Sequence, residues 1–467
     1  MVFSSLIFLF VFLPLNLLIY YSVPGLKAKN FILVICSLVF YAWGEPIWVS
    51  LLVFSALVDY LNGLFIERFR GKKIAFVGVI STLVINLSLL ISFKYADFII
   101  SNVNGLLGTG FTEPGITLPI GISFYTFQTI SYTIDVYRGE VKAQRSFMDF
   151  LLFVSLFHQL VAGPIVRYSH IANEISNRIF SWNDLGSGVK RFCKGLFKKV
   201  VIANTAGTLA TQFLDKEVAS MDFAGNWFGL VMYTLQIYFD FSGYSDMAIG
   251  LGRMFGFHYH ENFNHPYMAK SITDFWRRWH ISLSSFFRDY VYIPMGGNRK
   301  NVIFNILVVW SLTGLWHGAS WNFMLWGLYF AVLLIFEKYV WGRVLEKTPA
   351  LLRHAYALFF IVVGWALFYF TDLMKLQAFL YKSFDLTRIP QISLELQSAV
   401  ESNLYWIAFA LIMCTPIYRE SAILFEKTIR NTTLNHLGVV MVNLIMLVIS
   451  TAILVESTYN PFLYFRF

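Results

Sequence analysis

Charge is scarce in this chain. Asp, Glu, Lys and Arg make up 13% of its 467 residues, against about 25% in soluble domains, which excludes an ordinary water-facing surface. Cysteine is scarcer: Cys36, Cys193 and Cys414 are the only three. Their scatter excludes a disulfide framework and metal or redox spacing, and they read as small buried hydrophobes. Internal repeats, low-complexity linkers and a soluble domain are also missing, so residues 1–467 read as one membrane domain. No basic residue precedes the first apolar run, Met1–Tyr21. A cleaved secretory signal starts with positive charge, so an uncleaved first helix is expected.

What is abundant is hydrocarbon: 57% of residues are hydrophobic and the mean hydropathy is +0.61. Stretches near the length of about 20 residues that crosses a bilayer occur at 3–22, 31–43, 46–66, 74–93, 147–166, 223–251, 301–315, 320–341, 354–371, 404–418 and 436–456. Two more, 119–137 and 196–214, are apolar but interrupted, as re-entrant or tilted segments are. The expected fold is an all-α, polytopic integral membrane protein of about ten to thirteen membrane elements.

The net charge of +9 reads as a cytoplasmic excess of Lys and Arg, not as a nucleic-acid surface. Its clusters are Arg68–Lys73, Arg138–Arg145 and Lys190–Lys199. In the third, cations alternate with apolar residues at helical spacing, as in an interfacial helix resting on anionic headgroups; the other reading is a receiver for an anionic cytoplasmic substrate. The 95–118 loop has no Lys or Arg and is expected outside, and 373–403, containing Pro390, is expected as a loop carrying a short peripheral helix. Asn431-Thr-Thr433 fits a glycosylation triplet that nothing else supports.

Between Tyr233 and Trp326 polar and aromatic residues crowd segments that should be greasy. His317 lies in Leu312-Thr-Gly-Leu-Trp-His-Gly-Ala-Ser-Trp-Asn322, and His280 in Asp274-Phe-Trp-Arg-Arg-Trp-His-Ile-Ser-Leu283. An ionisable residue kept within a bilayer is a functional candidate, and imidazole suits proton transfer near neutral pH. Trp276, Trp279, Trp310, Trp316, Trp321 and Trp326 surround the pair, as a polar cavity lining or as interface-belt residues. On a helix starting near Ile272, His280 shares a stripe with Trp276, Trp279, Leu283 and Phe287, while Arg277, Arg278 and Arg288 fall elsewhere. Asp240 and Asp246, with Ser242, Tyr244 and Ser245, need partners. The arginines of 277–288 are the obvious ones, in a structural network or at substrate. Tyr292-Ile-Pro-Met-Gly-Gly-Asn-Arg299 breaks the helix, and its turn N–H groups suit an anion. His258, His260 and His265 have no convincing ligand set, so no metal is assigned; His170, His354 and His436 read as interfacial.

Leu118-Pro-Ile-Gly-Ile-Ser-Phe-Tyr-Thr-Phe-Gln128, Gln159-Leu-Val-Ala-Gly-Pro-Ile-Val-Arg167, Tyr238-Phe-Asp-Phe-Ser-Gly-Tyr-Ser-Asp246, Asp274–His280, Arg288–Arg299 and Gly314–Asn322 together resemble the membrane-bound O-acyltransferase family, and the similarity runs from Met1 to Phe467. The bacterial alginate-acetylation branch, which includes peptidoglycan and cellulose acetylation proteins, is the most similar. His158 stands where that branch has proline. The resemblance implies a ring of helices around a thinned centre pierced by a tunnel, with a catalytic core at about 118–330. A coenzyme A thioester would enter from the cytoplasm and the acceptor from the other side. His317 matches the family's invariant histidine and His280 its second site residue.

Acyl transfer to a hydroxyl needs a base, an oxyanion site and a leaving thiolate. His317 is assigned as general base, and Trp316, Trp279 or Asn298 as oxyanion donors. His280 orients the acceptor or protonates the thiolate. Arg277, Arg278, Arg288 and Arg299 are candidates for the coenzyme A phosphates, or pair with Asp240, Asp246, Asp274 and Asp289. The resulting expectation is a multi-pass inner-membrane acetyltransferase with no bound cofactor. It would take acetyl from acetyl-CoA for O-acetylation of an extracytoplasmic polysaccharide, alginate or similar, or peptidoglycan, and work with a periplasmic esterase-like partner. Alternatives are D-alanyl transfer to teichoic acid from a carrier-protein thioester, and a polar-solute transporter with a histidine proton relay.

Overall fold

The computed structural model describes residues 1–385, 392–418, 420–421, 424, 432–456 and 462–463. Among them the regular structure is helical throughout. Lipid offers no partner to a backbone N–H or C=O, and a helix satisfies both within itself. Five helices among the described residues are long and apolar enough to cross a bilayer: Val49–Arg68, Ala75–Leu107, Trp321–Lys347, Ala350–Tyr369 and His436–Glu456. Phe8–Ser22 and Val302–His317 are shorter apolar helices. The chain is an integral membrane protein.

The chain folds into two compact units, Met1–Phe192 with Tyr244–Glu261, and Cys193–Gly243 with Asn262–Phe467. In the first, 147–166 does not form the single span expected. It breaks at Leu156 between Phe147–Ser155 and Phe157–Leu160, and the Phe157 N–H donates to Ser37 Oγ at 3.2 Å. Residues 150–155 of the first piece and all of the second are buried in protein, and hydropathy alone does not separate that setting from lipid. Of 119–137, the start is a turn with Gly121 at φ 82°, and Ile122–Arg138 is one helix, buried along most of its length. Helix also runs on to Leu107 through a π turn at Ile91–Tyr95, so the first part of the expected 95–118 loop is helical. His158, fully buried, meets the Tyr259 hydroxyl at 2.6 Å through Nδ1.

Arg191, Lys194 and Lys199 of the Lys190–Lys199 cluster turn into the protein, while Lys190 is exposed. Within the first unit Arg191 pairs with Asp246 at 2.7 Å and with Glu261. Within the second, Lys194 meets the Tyr418 hydroxyl, and buried Lys199 pairs with Asp240 at 2.5 Å. The cause is the pair of carboxylates on the long helix Phe223–Met254, since a buried charge requires an opposite one.

In the second unit the helices Val302–His317 and Trp321–Phe336 form a hairpin. A Cβ on Gly314 would overlap the Phe323 carbonyl oxygen, and one on Gly327 the Trp310 carbonyl oxygen, so only glycine permits the backbones to approach this closely. The buried Asn322 amide donates to the carbonyls of Leu367 and Phe368 at 3.2 and 3.3 Å, tying the hairpin to Ala350–Tyr369. Residues 373–403 contribute helix at Leu373–Phe384 and from Leu394 onward; Pro390 and Asn431 lie outside the described residues.

Candidate active site

The single helix expected from Ile272 is two: Ile272–Arg278 and Ile281–Phe287, broken at Trp279–His280. His280 is left-handed, φ 44° and ψ 55°, a conformation that costs an L-residue roughly 1–2 kcal/mol. A backbone strip holds it there. The Asn264 N–H donates to Arg278 O at 2.9 Å, and the Ile281 N–H to Asn262 O at 3.0 Å. At the other end, the Glu337 carboxylate accepts from the Ile272 and Thr273 N–H groups at 2.6 and 2.9 Å, and from the Thr273 hydroxyl at 2.7 Å. Ser271 Oγ accepts from the Asp274 N–H at 3.0 Å. The helix start is thus fixed by one buried carboxylate and one cap.

His280 lies inward with the aromatic residues, as expected, with Phe241 edge-on at 4.6 Å and Trp316 at 5.8 Å between ring centres. Its Nδ1 is 3.2 Å from Asn262 Oδ1. That oxygen also accepts from the Ser282 N–H at 3.2 Å and the Ser282 hydroxyl at 2.9 Å. A backbone N–H can only donate, so the amide oxygen faces this way and Nδ1 carries the proton; the tautomer is assigned from the network. Nε2 is then the basic nitrogen. It is buried and has no hydrogen-bond partner among the described residues. Outside the apolar helices, this imidazole is held neutral: burial pushes it down to about 3.

His317 is the last residue of Val302–His317, at the carbonyl end of the helix. It is 5% exposed, with Trp316, Trp326 and Phe368 at 4.7, 4.9 and 5.1 Å between ring centres. Asn322, by gripping the Phe368 carbonyl, supports this wall.

Both histidines line one cavity of about 260 Å³, with Trp276, Trp279, Arg277 and Arg288 also on its wall. The Trp276 indole N–H is buried without a hydrogen-bond partner among the described residues. Arg277 is in no ion pair among the described residues, whereas Arg278 pairs with Asp274 at 2.8 Å and Arg288 with Asp289 at 2.6 Å. Trp316 packs between the histidines and is not on the cavity wall. Neither is Asn298, whose amide oxygen takes the Tyr292 hydroxyl at 2.9 Å and the Lys338 ammonium. Asp240 is also absent from the wall: it is held by Lys199 and accepts the Leu463 N–H at 2.7 Å. The expected arginine partners of Asp240 and Asp246 are replaced by Lys199 and Arg191.

Sequence reading passed over Asn262, Trp276 as a donor, and Glu337. Glu337 carried a usable signal, a lone carboxylate following an apolar helical run. Asn262 carried little beyond its place in a loop rich in Asn and Tyr.

A sequence profile of the membrane-bound O-acyltransferase family matches residues 140–378. A probable alginate O-acetylase of Azotobacter vinelandii is 42% identical over 79% of this chain and 75% of its own length. One from Pseudomonas putida is 36% identical over the whole of both chains. The peptidoglycan O-acetyltransferase of Helicobacter pylori is 36% identical over 79% of this chain and 77% of its own. Buried histidines alone would also suit a proton-coupled solute transporter; kinship along the full chain sets that reading aside. The chain belongs to the membrane-bound O-acyltransferase family and is an O-acyltransferase.

Proposed function

We propose that this enzyme moves acetyl from the thioester of acetyl-CoA to a hydroxyl acceptor, in the O-acetylation of an extracytoplasmic polysaccharide at the inner membrane. The observation that carries the proposal is that His280 and His317 share one tryptophan-walled cavity. The activities named for the similar proteins, on alginate and peptidoglycan, supply the acceptor class, alginate or a similar exopolysaccharide or peptidoglycan.

In this reading His317 removes the acceptor hydroxyl proton as the oxygen attacks the thioester carbonyl carbon. The carbonyl end of its helix stabilises the positive charge the imidazole acquires. The Trp276 N–H donates to the tetrahedral oxyanion, with Trp279 of the same wall as the other donor. On collapse the carbon–sulfur bond breaks, and the thiolate takes the proton from His317. His280 Nε2 accepts a hydrogen bond from the acceptor and orients it. Of its two expected roles, protonating the thiolate is disfavoured, because a neutral imidazole protonated at Nδ1 has no proton on Nε2 to give. Arg277, in no ion pair on the cavity wall, is the first candidate for a coenzyme A phosphate. A separate periplasmic esterase-like partner that receives acetyl belongs to the same proposal, on the family resemblance.

The test is thiol release from acetyl-CoA by the purified protein in proteoliposomes containing a hydroxyl acceptor. His317→Ala is expected to lower the rate by about 10²–10⁴-fold. Release at the wild-type rate in that variant overturns the assignment, and consumption only of a D-alanyl carrier-protein thioester overturns the donor.

A further inference from the structure

The first unit holds a second cavity, of about 180 Å³, whose lining includes Tyr20, Tyr21, Gly25, Lys29, Arg178 and Phe180. It has two cations and no carboxylate on its wall. Among the described residues the hydrogen bonds of Arg178 go to neutral acceptors, the Tyr20 hydroxyl at 3.0 Å, Glu174 O at 3.0 Å and Asn30 Oδ1 at 2.8 Å, and its guanidinium lies over the Phe257 ring at 4.2 Å. Lys29 Nζ stands over the Tyr20 and Tyr21 rings at 5.1 and 5.6 Å. Neither cation is in an ion pair among the described residues. Two carboxylates of this region, Glu174 and Asp184, are taken by His258 at 2.8 and 3.4 Å. Burial would lower the pKa of His258, but its hydrogen bonds to these carboxylates outweigh that and raise it. A third carboxylate, Asp149, accepts from the Asn30 amide at 3.0 Å; none of the three is on the cavity wall, whose charged side chains are Lys29 and Arg178.

Two further features select the ligand. Gly25 and Leu26, on the wall, open the 17-residue helix Leu26–Ala42, and no side chain caps its first N–H groups. An uncapped helix start is positive and donates to anions. Beside it the chain exposes grease: Ile179, on the wall, is 82% exposed and nearby Trp182 77%. A soluble anion has no use for that rim, whereas an amphiphile does.

We infer that this cavity binds a phosphate group, supplied by the headgroup of an anionic phospholipid, with Lys29 and Arg178 on the phosphate and Ile179, Phe180 and Trp182 against the acyl region. At about 30 Å³ per water, the volume suits a phosphodiester. The inference is independent of the acyl-transfer reading.

The test is thermal unfolding of the purified protein in micelles doped with phosphatidylglycerol or with phosphatidylcholine. Phosphatidylglycerol is expected to raise the wild-type Tm by about 3 °C or more over phosphatidylcholine. Lys29→Glu should abolish the difference, and Lys27→Glu, one exposed residue off the wall, should keep it. Arg178 is not the probe, because its hydrogen bonds also hold the fold. An unchanged Tm of Lys29→Glu in phosphatidylcholine certifies folding; if that variant unfolds, retention of lipid by Lys29→Gln in native mass spectrometry replaces it. An equal phosphatidylglycerol response in the wild type and the Lys29 variant overturns the site. A Lys29-dependent shift with inorganic phosphate or coenzyme A, and none with phosphatidylglycerol, overturns the lipid as its occupant.

Discussion

Asn262 holds His280 by one ring nitrogen: its amide oxygen lies 3.2 Å from Nδ1, leaving Nε2 as the lone-pair nitrogen. The same oxygen is fixed by Ser282, so the imidazole inherits its tautomer from a residue outside the cavity wall.

Removing that anchor frees the ring to take the other tautomer. Asn262→Ala is expected to lower kcat by about 10–100-fold, as loss of an orienting partner does elsewhere, with a smaller effect on KM. Asn262→Asp should act differently, because a carboxylate at Nδ1 favours the imidazolium. The acid limb of its rate profile should move to higher pH. Wild-type rates and profiles in both variants would sink the positioning role.

His280 also ties stability to pH. Its folded pKa is pushed down to about 3 by burial, below the unfolded value of about 6.5. Between those values the unfolded chain binds the proton and the folded one does not. The neutral ring's contribution is therefore present above about pH 6.5 and is lost as pH falls toward 3, by up to about 1.4 kcal/mol per unit. Unfolding of the wild type and His280→Gln across that range should show a shallower acid loss in the variant. Parallel curves would mean the ring is not buried neutral.

What the sequence made legible was local or carried by kinship. His317 stood out because an imidazole in apolar sequence is expensive, and its neighbours matched a family motif. The inward setting of His280 also followed from its aromatic neighbours. The broken helix did not, because the left-handed turn at His280 depends on backbone bonds to Asn262 and Asn264, which periodicity within 272–287 does not register. Glu337 caps Ile272 from 65 positions away. Nearness in sequence points Asp240 to the arginines of 277–288, yet the helix carrying it packs its carboxylate on Lys199. Opposite charges in sequence do not say which pairs burial selects.

Trp276 puts a buried indole N–H with no hydrogen-bond partner among the described residues on the wall shared by both histidines. If it donates to the oxyanion, Trp276→Phe keeps the aromatic packing against Trp310 at 4.6 Å and Phe330 at 4.9 Å and removes only the donor. The expected loss is about 10²–10³-fold in kcat with little change in Tm. A variant at wild-type rate would pass the oxyanion role to Trp279 on the same wall.

Lys199 and Asp240 separate a structural from a substrate role for the carboxylate. Both are almost fully buried and 2.5 Å apart. Lys199→Met leaves the carboxylate buried without its cation, which should cost about 3–5 kcal/mol of stability. Asp240→Asn in the same chain removes the orphaned charge and keeps an oxygen for the Leu463 N–H, so the double variant should recover most of the lost Tm. Recovery of turnover along with Tm is the expected outcome, because Asp240 is off the cavity wall. A double variant that regains Tm but stays inactive would favour direct contact of Asp240 with substrate, the other of the two roles open to it in sequence.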